Sequence, residues 1–317
     1  MKRSIKHFRK NTREELEFLL HMIKKQISRC HMVILYGSYA RGDYVLWDER
    51  VEFGIHTSYQ SDYDILIVVS DLNIRITENN LRHKVLPVYN KVFAGRRHAI
   101  PRFIVENINV LNENLEHRHY FFTDLVKDGI MLYNDKAFKL AKPCSLNYRE
   151  IKNIAEREFN IYYPSAVSML KGVKSFFLKD KDYMNAAFLL HQVAEKFYYA
   201  ILLVCMNYRP KNHKLAELQA MVKSLSRDLS FVFPMDTQQA QISYELLCRA
   251  YIEARYNMNY QVSREQIQYL ITRLDFLREV THRLCQEKLS FYESQIGNKG
   301  NGLGPDMDES GPMAAEN

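Results

Sequence analysis

The chain has 317 residues, 47% of them hydrophobic and 26% charged, a globular composition with enough length for two separate cores. A net charge of +7 and a pI of about 9.0 suit nucleotide or RNA partners, but the basic residues are spread over both halves and read as solvated helix faces. No apolar run reaches the ~20 uninterrupted residues of a membrane span, and Ala186–Met206 is broken by His191, Gln192, Glu195 and Lys196, which makes it a buried helix.

The basic start (Lys2, Arg3, Lys6, Arg9, Lys10) is followed by no apolar segment of a secretory signal. The five cysteines (Cys30, Cys144, Cys205, Cys248, Cys285) are odd in number and form no CxxC. Reduced thiols in a cytoplasmic protein are the expectation.

Thr12 and Glu15 have the spacing of a capping box ahead of Leu16, Leu19, Leu20, Ile23 and Ile27, which recur at a helical period. Strand-like runs follow at 32–36 and 65–69, with a third at Arg102 to Val105. A helix is expected after Gly42 and another over roughly 77–93, while Trp47 to Tyr59 reads as an inserted hairpin or loop. Residues 112–115 and 121–128 read as helical up to Gly129, and Ile130 to Tyr133 as an edge strand or turn.

Pro143-Cys144-Ser145 marks a boundary, beyond which strand signals vanish. Helical periods run through roughly 148–179, 182–206, 213–227, 239–257 and 263–293, the pattern of an up-and-down bundle. The last segment holds five of the eleven glycines and few apolar side chains, a composition expected to stay disordered. The expected fold is α+β: a small mixed-sheet domain over 1–142, an all-α bundle over 143–294 and a tail over 295–317.

Two segments carry chemistry. Gly37-Ser38-Tyr39-Ala40-Arg41-Gly42-Asp43 follows the first strand and offers a phosphate-sized backbone turn. Ser61-Asp62-Tyr63-Asp64 opens the second, and positions two apart on a strand share a face. Two carboxylates projecting together repel unless a cation sits between them, and hard oxygen donors suit Mg²⁺ and nucleotide phosphates. Either segment alone is common; an ordinary turn and a strand cap would look the same.

Together they resemble the signature of the minimal nucleotidyltransferases of the polymerase-β-like superfamily, over about 15–135. The resemblance implies that Gly37 and Ser38 contact phosphate, that Arg41 lies nearby as a phosphate partner, and that Asp62 and Asp64 ligate Mg²⁺. Relatives commonly use a third carboxylate on a later strand, and Glu106, at the end of Phe103-Ile104-Val105, is the candidate here. The separation of Ser38 from Asp62 is longer than usual in that family.

The helical half has its own resemblance. Phe188-Leu189-Leu190-His191-Gln192-Val193-Ala194-Glu195-Lys196, then Tyr208-Arg209-Pro210-Lys211-Asn212-His213-Lys214-Leu215, then Ala250-Tyr251-Ile252-Glu253-Ala254-Arg255-Tyr256 look like a HEPN domain, over about 145–293. That resemblance implies a homodimer. Ribonuclease members carry a histidine four to six residues after the arginine, whereas Arg255 is followed by Tyr256-Asn257-Met258-Asn259-Tyr260-Gln261. A phenol at Tyr260 is a poor base near neutrality, so no RNA cleavage is expected. Arg255 is left as a phosphate contact or as an ion-pair partner of Glu253 or another bundle residue.

His117-x-His119, and His191 with Glu195, have metal-ligand spacing but no third ligand in sight. His213 reads as structural, and Phe176, Phe177, Tyr198 and Tyr199 as core. The expected activity is Mg²⁺-dependent transfer of a nucleoside monophosphate from an NTP such as ATP to a hydroxyl on RNA, protein or a small molecule. The alternative is a nucleotide-binding regulatory protein without turnover, derived from a toxin–antitoxin pair.

Overall fold

In β1 (Cys30–Tyr36) successive side chains go to opposite cores, as the two-residue period of a strand requires. Val33 and Leu35 enter one apolar cluster; Met32 and Ile34 enter another. The computed structural model describes residues 4–52, 55–71, 73–116, 120–143, 147–210, 214–223 and 225–300. β4 (Tyr63–Val69) lies antiparallel to β1 and β5 (Pro101–Asn107) parallel to β4, while β6 (Ile130–Asn134) closes the other edge in the order β5-β4-β1-β6. β4 is buried throughout, which explains its nearly continuous apolar run.

One sheet face is covered by α1 (Lys10–Gln26) and by the crossover from β4 to β5. That crossover is α3 (Ile74–Asn80), a π-helical turn at Leu81–Val85, and α4 (Leu86–Phe93). Pro87 has no N–H to give the preceding turn, which accounts for the widened turn just before it. The other face is covered by α5 (Ile108–Glu116) and α6 (Tyr120–Asp128). The inserted segment is a two-stranded ribbon, β2 (Asp48–Glu52) paired antiparallel with β3 (Ile55–Tyr59).

Two local expectations are overturned. α1 begins at Lys10 behind Arg9 with no side-chain cap, and Thr12 and Glu15 lie inside the helix, facing inward. Glu15, 3% exposed, accepts a 2.7 Å hydrogen bond from the Tyr63 hydroxyl and pairs with Arg96 at 3.3 Å. The capping-box spacing therefore comes from two inward positions of the helix. The short helix near Gly42 precedes it: α2 (Gly37–Arg41) is closed by Gly42 at φ +97°.

Beyond Tyr148 the described residues are helical bundle and connecting loops. α7 (Tyr148–Ser175) runs into a π turn at Phe176–Asp180, and Lys181 reverses the chain in the left-handed region at φ 54°. α8 (Tyr183–Met206), capped by Asp182, is the central helix, packed by α7, α9 (Leu215–Lys223), α10 (Gln238–Tyr256) and α11 (Arg264–Gly300). Among the described residues α8 is the one helix long and apolar enough to cross a membrane, but 72% of its apolar window is buried in the bundle. α11 continues to Gly300, six residues into the segment expected as tail, and 301–317 lie outside the described residues. The described cysteines, Cys30, Cys205, Cys248 and Cys285, are free; Cys144, like Ser145 of the expected boundary, lies outside the description.

The two halves meet on the sheet face that carries Met32 and Ile34. Met206, Tyr208 and Met221 pack against that cluster, and Arg82–Glu217 and Arg227–Asp48 ion pairs bind the edges. Within the sheet unit, Tyr63→Phe removes a buried hydrogen bond to a carboxylate. A loss of about 1.5–3 kcal/mol is expected in urea unfolding, with unchanged denaturant dependence.

Candidate functional site

Strand alternation puts Asp64 on the same face as Leu66 and Val68, with Asp62 two residues earlier. Asp64 lies opposite Tyr36, the last residue of β1, so Gly37 follows directly beside it. Gly37 adopts φ +72°, and a Cβ there would collide with Asp64 Oδ2. Only glycine lets the backbone turn this close to the carboxylate. From there α2 leaves with Tyr39 and Ala40 buried, Tyr39 stacked on Tyr44 at 4.2 Å. The Ser38 carbonyl accepts from the amides of Gly42 and Asp43 at 2.8 and 3.1 Å, which holds the turn. Gly37, Ser38, Asp62 and Asp64 are thus brought together.

Burial penalises the charge on both carboxylates. Burial pushes the Asp64 carboxyl up to about 7; Arg102 opposes this, Asp62 reinforces it, and Arg41 opposes it. Asp62 is raised by burial against the pull of Arg102 and Lys223. Arg102 sits on β5 opposite Asp64 and forms an ion pair with Asp62. Its Nη1 is buried and has no hydrogen-bond partner among the described residues. Arg41 pairs with Asp43 at 3.1 Å while remaining close enough to favour the ionised Asp64.

Glu106 is not part of this group. In the β4–β5 register it faces Val68, four residues beyond Arg102, or about 13 Å along the strand. Its own Oε1 accepts from the Asn107 amide at 3.0 Å. The position beside Asp64 that a third carboxylate would need is held by Arg102. Among the described residues no three His, Cys, Asp or Glu side chains cluster as a metal site. His117, His119 and His213 lie outside the described residues. His191 is 1% exposed with Nδ1 2.9 Å from the Leu247 carbonyl, and Glu195 is buried one turn along α8.

Arg255 stands apart from the carboxylates, on α10. Its Nε donates to the Tyr251 carbonyl at 2.7 Å, and its guanidinium lies over the Tyr251, Tyr256 and Phe188 rings at 4.4, 5.0 and 5.2 Å. Glu253 pairs instead with Arg249 at 3.4 Å. Tyr260, at histidine-like spacing, is buried and donates its hydroxyl to the Leu246 carbonyl at 2.9 Å. The family model of the HEPN domain matches residues 170–284, from the last turns of α7 into α11. Residues 170–284 are a HEPN domain. No curated protein matches the chain.

Sequence reasoning missed Arg102 and Lys223. Arg102 was visible as the first residue of a strand run, but nothing in a single strand reveals which carboxylate it will face. Lys223 lay in a helix whose contact with the other half has no local signature.

Two outcomes follow. Gly37→Ala should cost about 1–2 kcal/mol from backbone strain alone, and more from the clash with Asp64, read by thermal or urea unfolding. The folded-state pKa of Asp64 is raised above its unfolded value of 3.8, so its contribution to stability is full below pH ~4 and lost as pH rises through about 7. In metal-free buffer, Asp64→Asn should flatten the fall in unfolding free energy between those limits. An unchanged slope would show that the carboxyl is not held neutral.

Proposed function

We propose that the N-terminal unit binds a nucleoside triphosphate, such as ATP, and transfers its nucleoside monophosphate to an acceptor hydroxyl on RNA, protein or a small molecule. The observation that supports this is Gly37 packed against Asp64, a backbone turn and a carboxylate pair meeting at one point of the sheet. In this reading Gly37 lets polyphosphate approach the main chain, and Ser38 and its neighbours orient it. Arg41 balances phosphate charge from the end of α2.

Two carboxylates are a small donor set, but one that fits Mg²⁺, which typically takes one or two protein carboxylates and completes its shell with water and substrate phosphates. Burial is the main cause of the raised Asp64 pKa, and a bound cation would offset that cost. When bound, Mg²⁺ would supply polarisation of the phosphoryl group and neutralisation of developing charge. Asp62 would exchange its Arg102 partner for the cation, releasing the guanidinium toward phosphate.

A second reading is nucleotide binding without turnover, as a regulatory protein derived from a toxin–antitoxin pair. It is favoured by Arg102 at the level where a third acid would deprotonate the acceptor, with Glu106 about 13 Å away. The HEPN domain then serves dimerisation or nucleotide or RNA binding in both readings. RNA cleavage is not proposed: Arg255 is engaged by three aromatic rings and Tyr260 is hydrogen-bonded in the core.

Incubation with each α-³²P-labelled NTP and Mg²⁺, beside Asp62→Asn/Asp64→Asn, separates the readings. Label moved to protein or added RNA by the wild type alone is expected for a nucleotidyltransferase. Binding that the double variant loses, with no label moved, would select the regulatory reading. Neither binding nor transfer would overturn both.

A further inference from the structure

We infer that Arg102 and Lys223 together form a phosphate-binding subsite spanning both halves of the chain, so that a bound polyphosphate is held from the sheet and from the HEPN domain at once. This rests on the nucleotide-binding reading above and adds to it a residue from the helical half.

The first observation is the orphaned donor. Arg102 is pinned to Asp62, yet its Nη1 is buried without a partner among the described residues. A buried guanidinium N–H left unpaired costs free energy that an anion would recover. The second is the docking of α9. Met221 and Tyr36, the register partner of Asp64, pack against the same apolar cluster, and Lys223 is the last residue of that helix. The helix is fixed there by the Glu217–Arg82 ion pair, and the chain leading to it by Tyr208, whose ring lies 4.9 Å from Phe121. Phe121 in turn contacts Tyr36 edge-on at 5.8 Å.

The third is charge. Asp62 pairs with Arg102 and lies within electrostatic reach of Lys223, while Arg41 pairs with Asp43. Two cations from different halves of the chain thus converge on one carboxylate. Phosphate oxygens suit this setting: a guanidinium supplies directed donors and an ammonium a mobile point charge.

The test uses the full chain with ATP and Mg²⁺ in isothermal titration calorimetry, with hydrogen exchange of the α9 amides as a second readout. Lys223→Gln should weaken ATP binding about tenfold or more, and Lys223→Arg should retain most of it. Nucleotide should slow exchange in α9 of the wild type but not of Lys223→Gln. Wild-type affinity in Lys223→Gln would overturn the subsite while leaving nucleotide binding intact. Equal loss in both variants, with a lowered melting temperature of the nucleotide-free protein, would assign Lys223 to the fold and also overturn it. No ATP binding by the wild type would overturn the nucleotide reading itself, and the subsite with it.

Discussion

A buried carboxylate at the start of β4, with a half-buried one two residues before it, is the constraint around which the N-terminal site is arranged. An ionised carboxylate taken out of water is costly unless it is paired or protonated, and the chain uses both remedies. Asp62 is paired with Arg102 from the neighbouring strand, and Asp64 is displaced toward neutrality. A purely structural strand would fill both positions with the apolar residues found at Leu66 and Val68, at lower cost. Retaining acid at both, beside a glycine that admits the main chain, is a departure from the packing logic of the rest of β4. Such departures mark sites where stability yields to chemistry.

The same face joins the two halves. Met206, Tyr208 and Met221 complete a cluster begun by Met32, Ile34, Leu66 and Val68, so the HEPN domain is seated against the sheet face that carries the carboxylates. The ion pairs Arg82–Glu217 and Arg227–Asp48 tie the β4–β5 crossover and the β2–β3 ribbon to the helical half. Any ligand that alters the charge around Asp62 therefore acts on a surface that the helical domain already touches. Coupling between the halves needs no distant relay, since Lys223 is within electrostatic reach of both Asp62 and Arg102.

Much of this was legible in the sequence because it rests on local periodicity. The four long helices α7, α8, α10 and α11 follow from apolar spacing, while the segment expected helical over 213–227 holds the short α9. The two strands flanking the motif follow from continuous Ile, Leu and Val runs. The hairpin between Ser38 and Asp62 was visible as an insertion. What failed was whatever depended on direction or register. Thr12 and Glu15 fit a capping box by spacing, but spacing cannot say whether Glu15 turns back to the helix start or inward to Tyr63. Glu106 is a candidate by its place at the end of a strand run, whose alternation does not reveal a face; the parallel register, set by a long crossover, puts Arg102 opposite Asp64. Alternation is encoded within one strand, whereas register is encoded between two.

Arg102 also changes how the carboxylate pair is to be understood. A guanidinium is always charged and cannot be titrated away, so it gives Asp62 a permanent counter-ion where a divalent cation would be a conditional one. A site of this kind is stable without ligand, and exchange of one cation for another costs less than filling an empty, repelling pair. On the proposed reading, the ion pair that neutralises Asp62 without ligand is the one that would open if nucleotide bound. Opening it frees a donor fork whose second nitrogen already lacks a partner. On the proposed reading, folding around one buried and one half-buried acid and holding a polyanion would both fall to one arginine.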